Sequence, residues 1–107
     1  PKATAAAVKL IKERYCDHIS LHDAARHCGM SRCHFSRIFR REHGVTFQEF
    51  LIRERVERAC ALLRNKGQSV TDIGLAVGFN DLSNFTRTFY RYVGKRPSQY
   101  RKWDNRT

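Results

Sequence analysis

Apolar residues along this chain recur mainly at helical intervals. Ile52, Val56, Ala59, Cys60 and Leu63 make an i, i+4, i+7, i+8, i+11 stripe. Phe35, Ile38 and Phe39 share one face of a second segment, and Phe85, Phe89 and Tyr92 share one face of a third. Val8, Ile11 and Tyr15 point one way in an opening helix from about Ala5 to Tyr15. No segment shows the alternation of a convincing strand.

Polar residues punctuate these segments. Ser20-x-x-Asp23, Thr46-x-x-Glu49 and Ser69-x-x-Asp72 read as capping boxes that open helices. Ser31 and Asn80 are suitable N-caps for further helices. Gly29 and Gly78 supply tight turns, and Gly44 and Gly94 end the segments that follow. A long helix runs from about Phe47 to Asn65, and "NKGQS" closes it. Glu49 with Arg53, and Glu54 with Arg58, form i,i+4 pairs on its other faces. Pro97 suits the first turn of a last helix ending near Trp103. The expected fold is all-α, with about seven helices.

The pattern occurs twice. "SLHDAARHCGMS" aligns with "SVTDIGLAVGFN" at the spacing from Ser20 to Ser69. One residue is inserted after the glycine, and "HFSRIFRREHG" then aligns with "NFTRTFYRYVG". Phe35, Arg37, Phe39 and Gly44 match Phe85, Arg87, Phe89 and Gly94. Helix, glycine turn, helix is the helix-turn-helix unit, whose second helix reads DNA. The expected organisation is one domain over residues 1–107. It divides into a first subdomain at 4–46, a linker helix at 47–65 and a second subdomain at 66–107.

Composition narrows the partners. The formal net charge of +11 on 107 residues favours a polyanion, either nucleic acid or an anionic membrane. No apolar run approaches the roughly 18 residues of a spanning helix, and no signal-peptide pattern opens the chain. The first residue, Pro1, fits a processed or excised piece. Cys16, Cys28, Cys33 and Cys60 are expected as free thiols in a reducing compartment.

"DIGLAVGFNDLSNFTRTFYRYVGKRPSQYR" (Asp72 to Arg101) resembles the second helix-turn-helix and tail of the AraC/XylS family of bacterial transcription regulators. The likeness extends over Ile19 to Trp103. Gly74 stands where that family usually has Ala, which should weaken its helix slightly; Asn84 replaces a common aromatic, and Tyr90 a common basic residue. The resemblance implies a cytoplasmic, nucleoid-associated domain that binds double-stranded DNA as a monomer. RNA polymerase is a second candidate partner, and a separate sensing or dimerisation domain would precede this one. No cofactor, metal or membrane is implied.

The resemblance also places base contacts at Arg32, Cys33, Ser36 and Arg37, and at Leu82, Ser83, Thr86 and Arg87. Their chemistry fits. Arg pairs with guanine O6 and N7, Ser and Thr are versatile, and Leu82 or Cys33 can touch a thymine methyl. Each Arg has a plainer alternative as a phosphate contact or a solvated charge. Arg40, Arg41, Arg91, Lys95, Arg96 and Arg101 are expected to hold phosphates. The helix starts around Thr46, Phe47, Pro97 and Ser98 would assist them. Two tandem readers on a linker roughly 28 Å long suit grooves one turn, about 34 Å, apart on an asymmetric site.

Two other readings are weaker. "HCGMSRCH" (His27 to His34) has the spacing of zinc ligands, but the repeat keeps its form with Ala76, Val77, Ser83 and Asn84 in the matching places. Cys28 is then a small core residue like Val77. An enzyme would need a nucleophile, a base and an orienting group in one motif, and none is present.

Overall fold

The computed structural model describes residues 2–65 and 67–104. Pro1, Lys66 and residues 105–107, which fall within the expected subdomains and the "NKGQS" closure, lie outside the described residues. Seven helices and no strand occur among the described residues: α1 (Ala5–Arg14), α2 (Leu21–His27), α3 (Arg32–His43), α4 (Phe47–Leu63), α5 (Val70–Ala76), α6 (Leu82–Val93) and α7 (Pro97–Asp104). None of the helices is long and apolar enough to cross a membrane. The chain divides into two compact units, Pro1–Glu54 and Arg55–Thr107. The boundary falls inside α4. Each end of this helix therefore belongs to one unit.

In the first unit, Ala7, Leu10, Ile11, Ile19, Ala24, Ala25, Phe35, Phe39, Phe47 and Leu51 form the buried cluster. Phe39 meets Phe35, Phe47 and Phe50 with ring centres 5.5, 5.8 and 5.6 Å apart. The α1 stripe differs from expectation. Ala7 and Leu10 join Ile11 in the core, and Val8 and Tyr15 pack at its margin. Half-buried Ile38 is likewise peripheral.

In the second unit, Ile73, Val77, Phe79, Phe85, Phe89 and Tyr100 are buried, as are Val56, Ala59 and Leu63 of α4. Phe85 lies between Phe79 and Phe89, at 5.2 and 5.7 Å. Tyr92 is only half-buried, and Ile52 and Cys60 flank the α4 stripe. Phe79, which the periodicity did not single out, is a core residue because the turn carries it back under α6.

Glu54 has a partner that the α4 pattern did not show. It is 4% exposed, and Lys12 of α1 donates to its carboxylate at 2.6 Å. A residue placed off the apolar stripe is a buried anion, and one cation beside it comes from another helix. Removing Lys12 would take this cation from a buried carboxylate, whereas removing Glu54 would leave a half-exposed ammonium that water can solvate.

Local capping explains the helix starts. Ser20 and Asp23 complete a reciprocal box at α2. Thr46 and Glu49 do the same at α4: Glu49 N–H donates to Thr46 Oγ1 at 3.1 Å, and Thr46 N–H to Glu49 Oε1 at 3.4 Å. Ser69 accepts from Asp72 N–H at 3.1 Å. At α6 the cap is Asp81, not Asn80; its carboxylate accepts Asn84 N–H at 2.7 Å. The turns superpose with Met30 N–H on the Ala25 carbonyl and Phe79 N–H on the Gly74 carbonyl. Asn80 is thus the inserted residue, and Ser31 corresponds to Asp81.

Candidate nucleic-acid interface

The reader helices α3 and α6 are built alike. Each begins at an extended cap residue, Ser31 or Asp81, and ends at a left-handed glycine, Gly44 (φ 78°) or Gly94 (φ 82°). A side chain there would be strained, so the chain stops turning helically at that place. Each reader buries its Phe pair completely: Phe35 with Phe39, and Phe85 with Phe89. A residue midway between such a pair is rotated about 200° from either and must face outward.

Arg32, Cys33, Ser36 and Arg37 are all exposed on α3. Leu82, Ser83 and Arg87 are exposed on α6, and Thr86 is half-buried beside them. Leu82, Ser83, Thr86 and Arg87 line one shallow concavity together with Tyr90 and Arg96. Arg37 and Arg87 carry no ion pair among the described residues. Their guanidiniums stand ready for an external acceptor. No neighbouring carboxylate would have to be displaced first.

The expected phosphate residues divide into several kinds. Arg40, Arg41, Arg91, Arg96 and Ser98 are exposed. Lys95 lies 5.0 Å over the Trp103 ring, which orients its ammonium. Phe47 is a core ring, 3% exposed, so only its main chain at the start of α4 is left to face a phosphate. Thr46 is occupied in its capping box. Arg101 is committed within the unit. Its Nε donates to the Leu63 carbonyl at 2.9 Å, and Nη2 to those of Asn65 and Gln68 at 3.1 and 2.7 Å. It closes the end of α4, and a phosphate would have to compete with three carbonyls for it.

A polar cluster that the repeat did not reveal anchors the last turn of α3. The Glu42 carboxylate accepts from the main-chain N–H groups of Ala3 and Thr4 at 2.9 and 3.0 Å, and from Thr4 Oγ1 at 2.6 Å. The Thr4 hydroxyl lies 2.7 Å from His43 Nε2. Thr4 gives its single proton to the carboxylate, so His43 Nε2 must be the donor in that contact. The Thr4 hydroxyl, backed by the two main-chain donors, holds the Glu42 carboxyl down at about 2. Burial, aided by the Lys2 charge, pushes the His43 imidazole below its ordinary value, against the opposing pull of Glu42.

The residues of the zinc-like spacing have other surroundings in the structure. Cys28 packs at the margin of the core, less deeply than Val77, and burial pushes its thiol up. His27 Nδ1 lies 2.9 Å from the Asp23 carbonyl oxygen. No group of three His, Cys, Asp or Glu residues able to hold a metal occurs among the described residues. None of the four cysteines is in a disulfide, and Cys33 is on the outward face of α3.

A family model described as a helix-turn-helix domain matches residues 24–102, from within α2 to within α7. The chain belongs to the AraC/XylS family of helix-turn-helix DNA-binding domains. Its relatives are bacterial transcription regulators. The msm operon regulatory protein of Streptococcus mutans is 33% identical over 94 residues, which is 88% of this chain and 34% of that protein. The melibiose operon regulatory protein of Escherichia coli K12 is 35% identical over 92 residues, 86% of this chain and 30% of that protein. The chain thus spans about a third of the length of these curated relatives. Among solved structures, the DNA-binding domain of AdpA, in complex with a target DNA, matches with a TM-score of 0.88. It is 28% identical, covering 95% of this chain and 92% of that one. An AraC-type regulator from Chromobacterium violaceum matches with a TM-score of 0.87 at 28% identity, over 94% and 89% of the two chains.

Proposed function

We propose that this AraC/XylS domain binds an asymmetric double-stranded DNA site by laying α3 and α6 in successive major-groove faces, as the DNA-binding part of a longer bacterial transcription regulator. The observation that carries this is the duplicated outward face: two capped helices, each with an unpaired Arg directly opposite a buried Phe pair. A general polyanion binder needs basic charge but no such register. In this reading the eight residues Arg32, Cys33, Ser36, Arg37, Leu82, Ser83, Thr86 and Arg87 meet base edges. Arg40, Arg41, Arg91, Lys95, Arg96 and Ser98 meet phosphates, with the main chain at Thr46 and Phe47. The domain works as a monomer in the bacterial cytoplasm, on the nucleoid, without catalysis; RNA polymerase is its protein partner there.

Footprinting on a site selected from random duplex should show about 20 protected base pairs, with two contact segments near 10 base pairs apart. Protection of one segment only, or a strict need for an inverted repeat, contradicts the arrangement. Arg37→Ala and Arg87→Ala should each lose about 1–3 kcal/mol on the selected site and relax preference at one base position, in different halves. An equal loss on selected and random DNA would assign these residues to phosphates. With roughly eight phosphates neutralised, log affinity should fall with log salt at a slope of about −7.

A further inference from the structure

Positions i, i+4 and i+8 of a helix lie along one line of its surface. On α3 that line is Arg32, Ser36, Arg40; on α6 the corresponding line is Leu82, Thr86, Tyr90. The first presents guanidinium donors and a hydroxyl. The second presents methyl groups and a ring. Leu82 is 44% exposed and Tyr90 55% exposed. Among the described residues, the large hydrophobic side chains this exposed are Leu75, Leu82, Tyr90 and Trp103, all in the second unit. Two of these four stand on the reader helix itself.

We propose that the second unit reads its half-site through thymine methyl groups while the first reads guanine edges, and that Tyr90 belongs to the second reading surface. This rests on the DNA-binding reading above and deepens it. Thymine alone of the four bases projects a methyl group into the major groove, and apolar side chains are its natural partners. Leu82, Thr86 and Tyr90 share one concavity with Ser83, Arg87 and Arg96. Tyr90 also borders a second hollow, with Gly94, Lys95, Arg96 and Gln99. Its ring therefore stands between the base-reading groove and the basic turn before α7. Cationic residues flank the apolar line, which suits a polyanion carrying methyl groups and would not suit an apolar protein partner. Arg87 keeps the register that Arg37 has in α3, so the difference between the half-sites falls on the line, not on the shared Arg.

The test replaces thymine by deoxyuridine, which removes only the methyl, in one half of a selected duplex at a time. The full 107-residue chain is titrated against each duplex. Substitution in the second half-site should weaken binding by about four-fold for each methyl buried. The same change in the first half should have at most the effect of one methyl, at a thymine that Cys33 meets. Tyr90→Ala and Leu82→Ala should lose the deoxyuridine effect in the second half, and Tyr90→Phe should keep it. Both positions are exposed, and circular dichroism checks that the variants fold. Equal tolerance of deoxyuridine in both halves overturns the proposal, as does Tyr90→Phe behaving like Tyr90→Ala, which would make the hydroxyl a phosphate contact. A chain that does not distinguish selected from random duplex fails at the earlier step, and the sequence-specific reading falls with it.

Discussion

At the glycine turn the first unit puts Ala25 in the core cluster that holds Phe35, with Met30 packed against that cluster, and the second packs Gly74 and Phe79 around Phe85. The second unit has given up a methyl on its first helix and gained a ring in its turn. A Cβ on Gly74 would lie 2.6 Å from Phe85 Cδ2 and 2.8 Å from Cγ. Gly74 is therefore a site of close approach and not merely a weak point in α5. The last turn of the reader differs as well. Glu42 and His43 on α3 hold the residues before α1, whereas the matching places on α6 are Tyr92 and Val93. The second unit secures itself from the other side, through Arg101 on the carbonyls at the end of α4. The same scaffold is thus held by a polar latch in one unit, and by the close approach of Gly74 to Phe85 and a cationic cap in the other.

The largest expected effects test whether the two cores are independent. Phe35→Ala and Phe85→Ala should each cost about 3–5 kcal/mol, because each ring is fully buried among other rings. If the units are separate, hydrogen exchange should collapse in one unit and persist in the other. Uniform loss of protection would mean one cooperative core.

Gly74→Ala comes next. Overpacking against a ring held between Phe79 and Phe89 should cost about 1–3 kcal/mol. That outweighs the roughly 1 kcal/mol that Ala offers over Gly in a helix. Denaturant unfolding should therefore show a net loss. A gain in stability would show that Phe85 can move aside and that the packing difference between the units is not essential.

Arg101→Ala should destabilise the second unit by about 1–2 kcal/mol through lost carbonyl bonds, discounted for partial exposure. Its salt slope for DNA binding should be that of the unaltered chain. A slope reduced by about one would instead return Arg101 to the phosphate contacts.

The smallest effect concerns acid. The folded chain holds Glu42 down at about 2, from an ordinary value of 4.5. Its contribution is present above about pH 4.5 and is lost as pH falls toward 2. His43 is also depressed in the folded chain, so its share is complete above its ordinary 6.5 and begins to fall below that. Both act in the same direction. Amide exchange on acidification should open α1 and the end of α3 before α6, and Glu42→Gln should flatten that difference. Simultaneous opening of both readers would show that the latch does not set the acid response.

The number and order of helices, the doubled unit and the outward Arg between inward Phe residues could all be read from the chain alone. These features rest on interactions within four residues, on hydroxyl and carboxyl caps and on helical periodicity, all written locally in sequence. The Asp81 cap was within reach too, since the register that pairs Phe35 with Phe85 pairs Ser31 with Asp81. Tertiary structure decided the rest. Lys12 finds Glu54, Thr4 finds Glu42, and Arg101 finds the end of α4, each across more than 35 residues of chain. An exposed-type side chain carries no local mark of such a partner. Whether Glu54 is a surface charge or a buried one, and whether Arg101 faces DNA or a carbonyl, depends on which helix folding brings beside it.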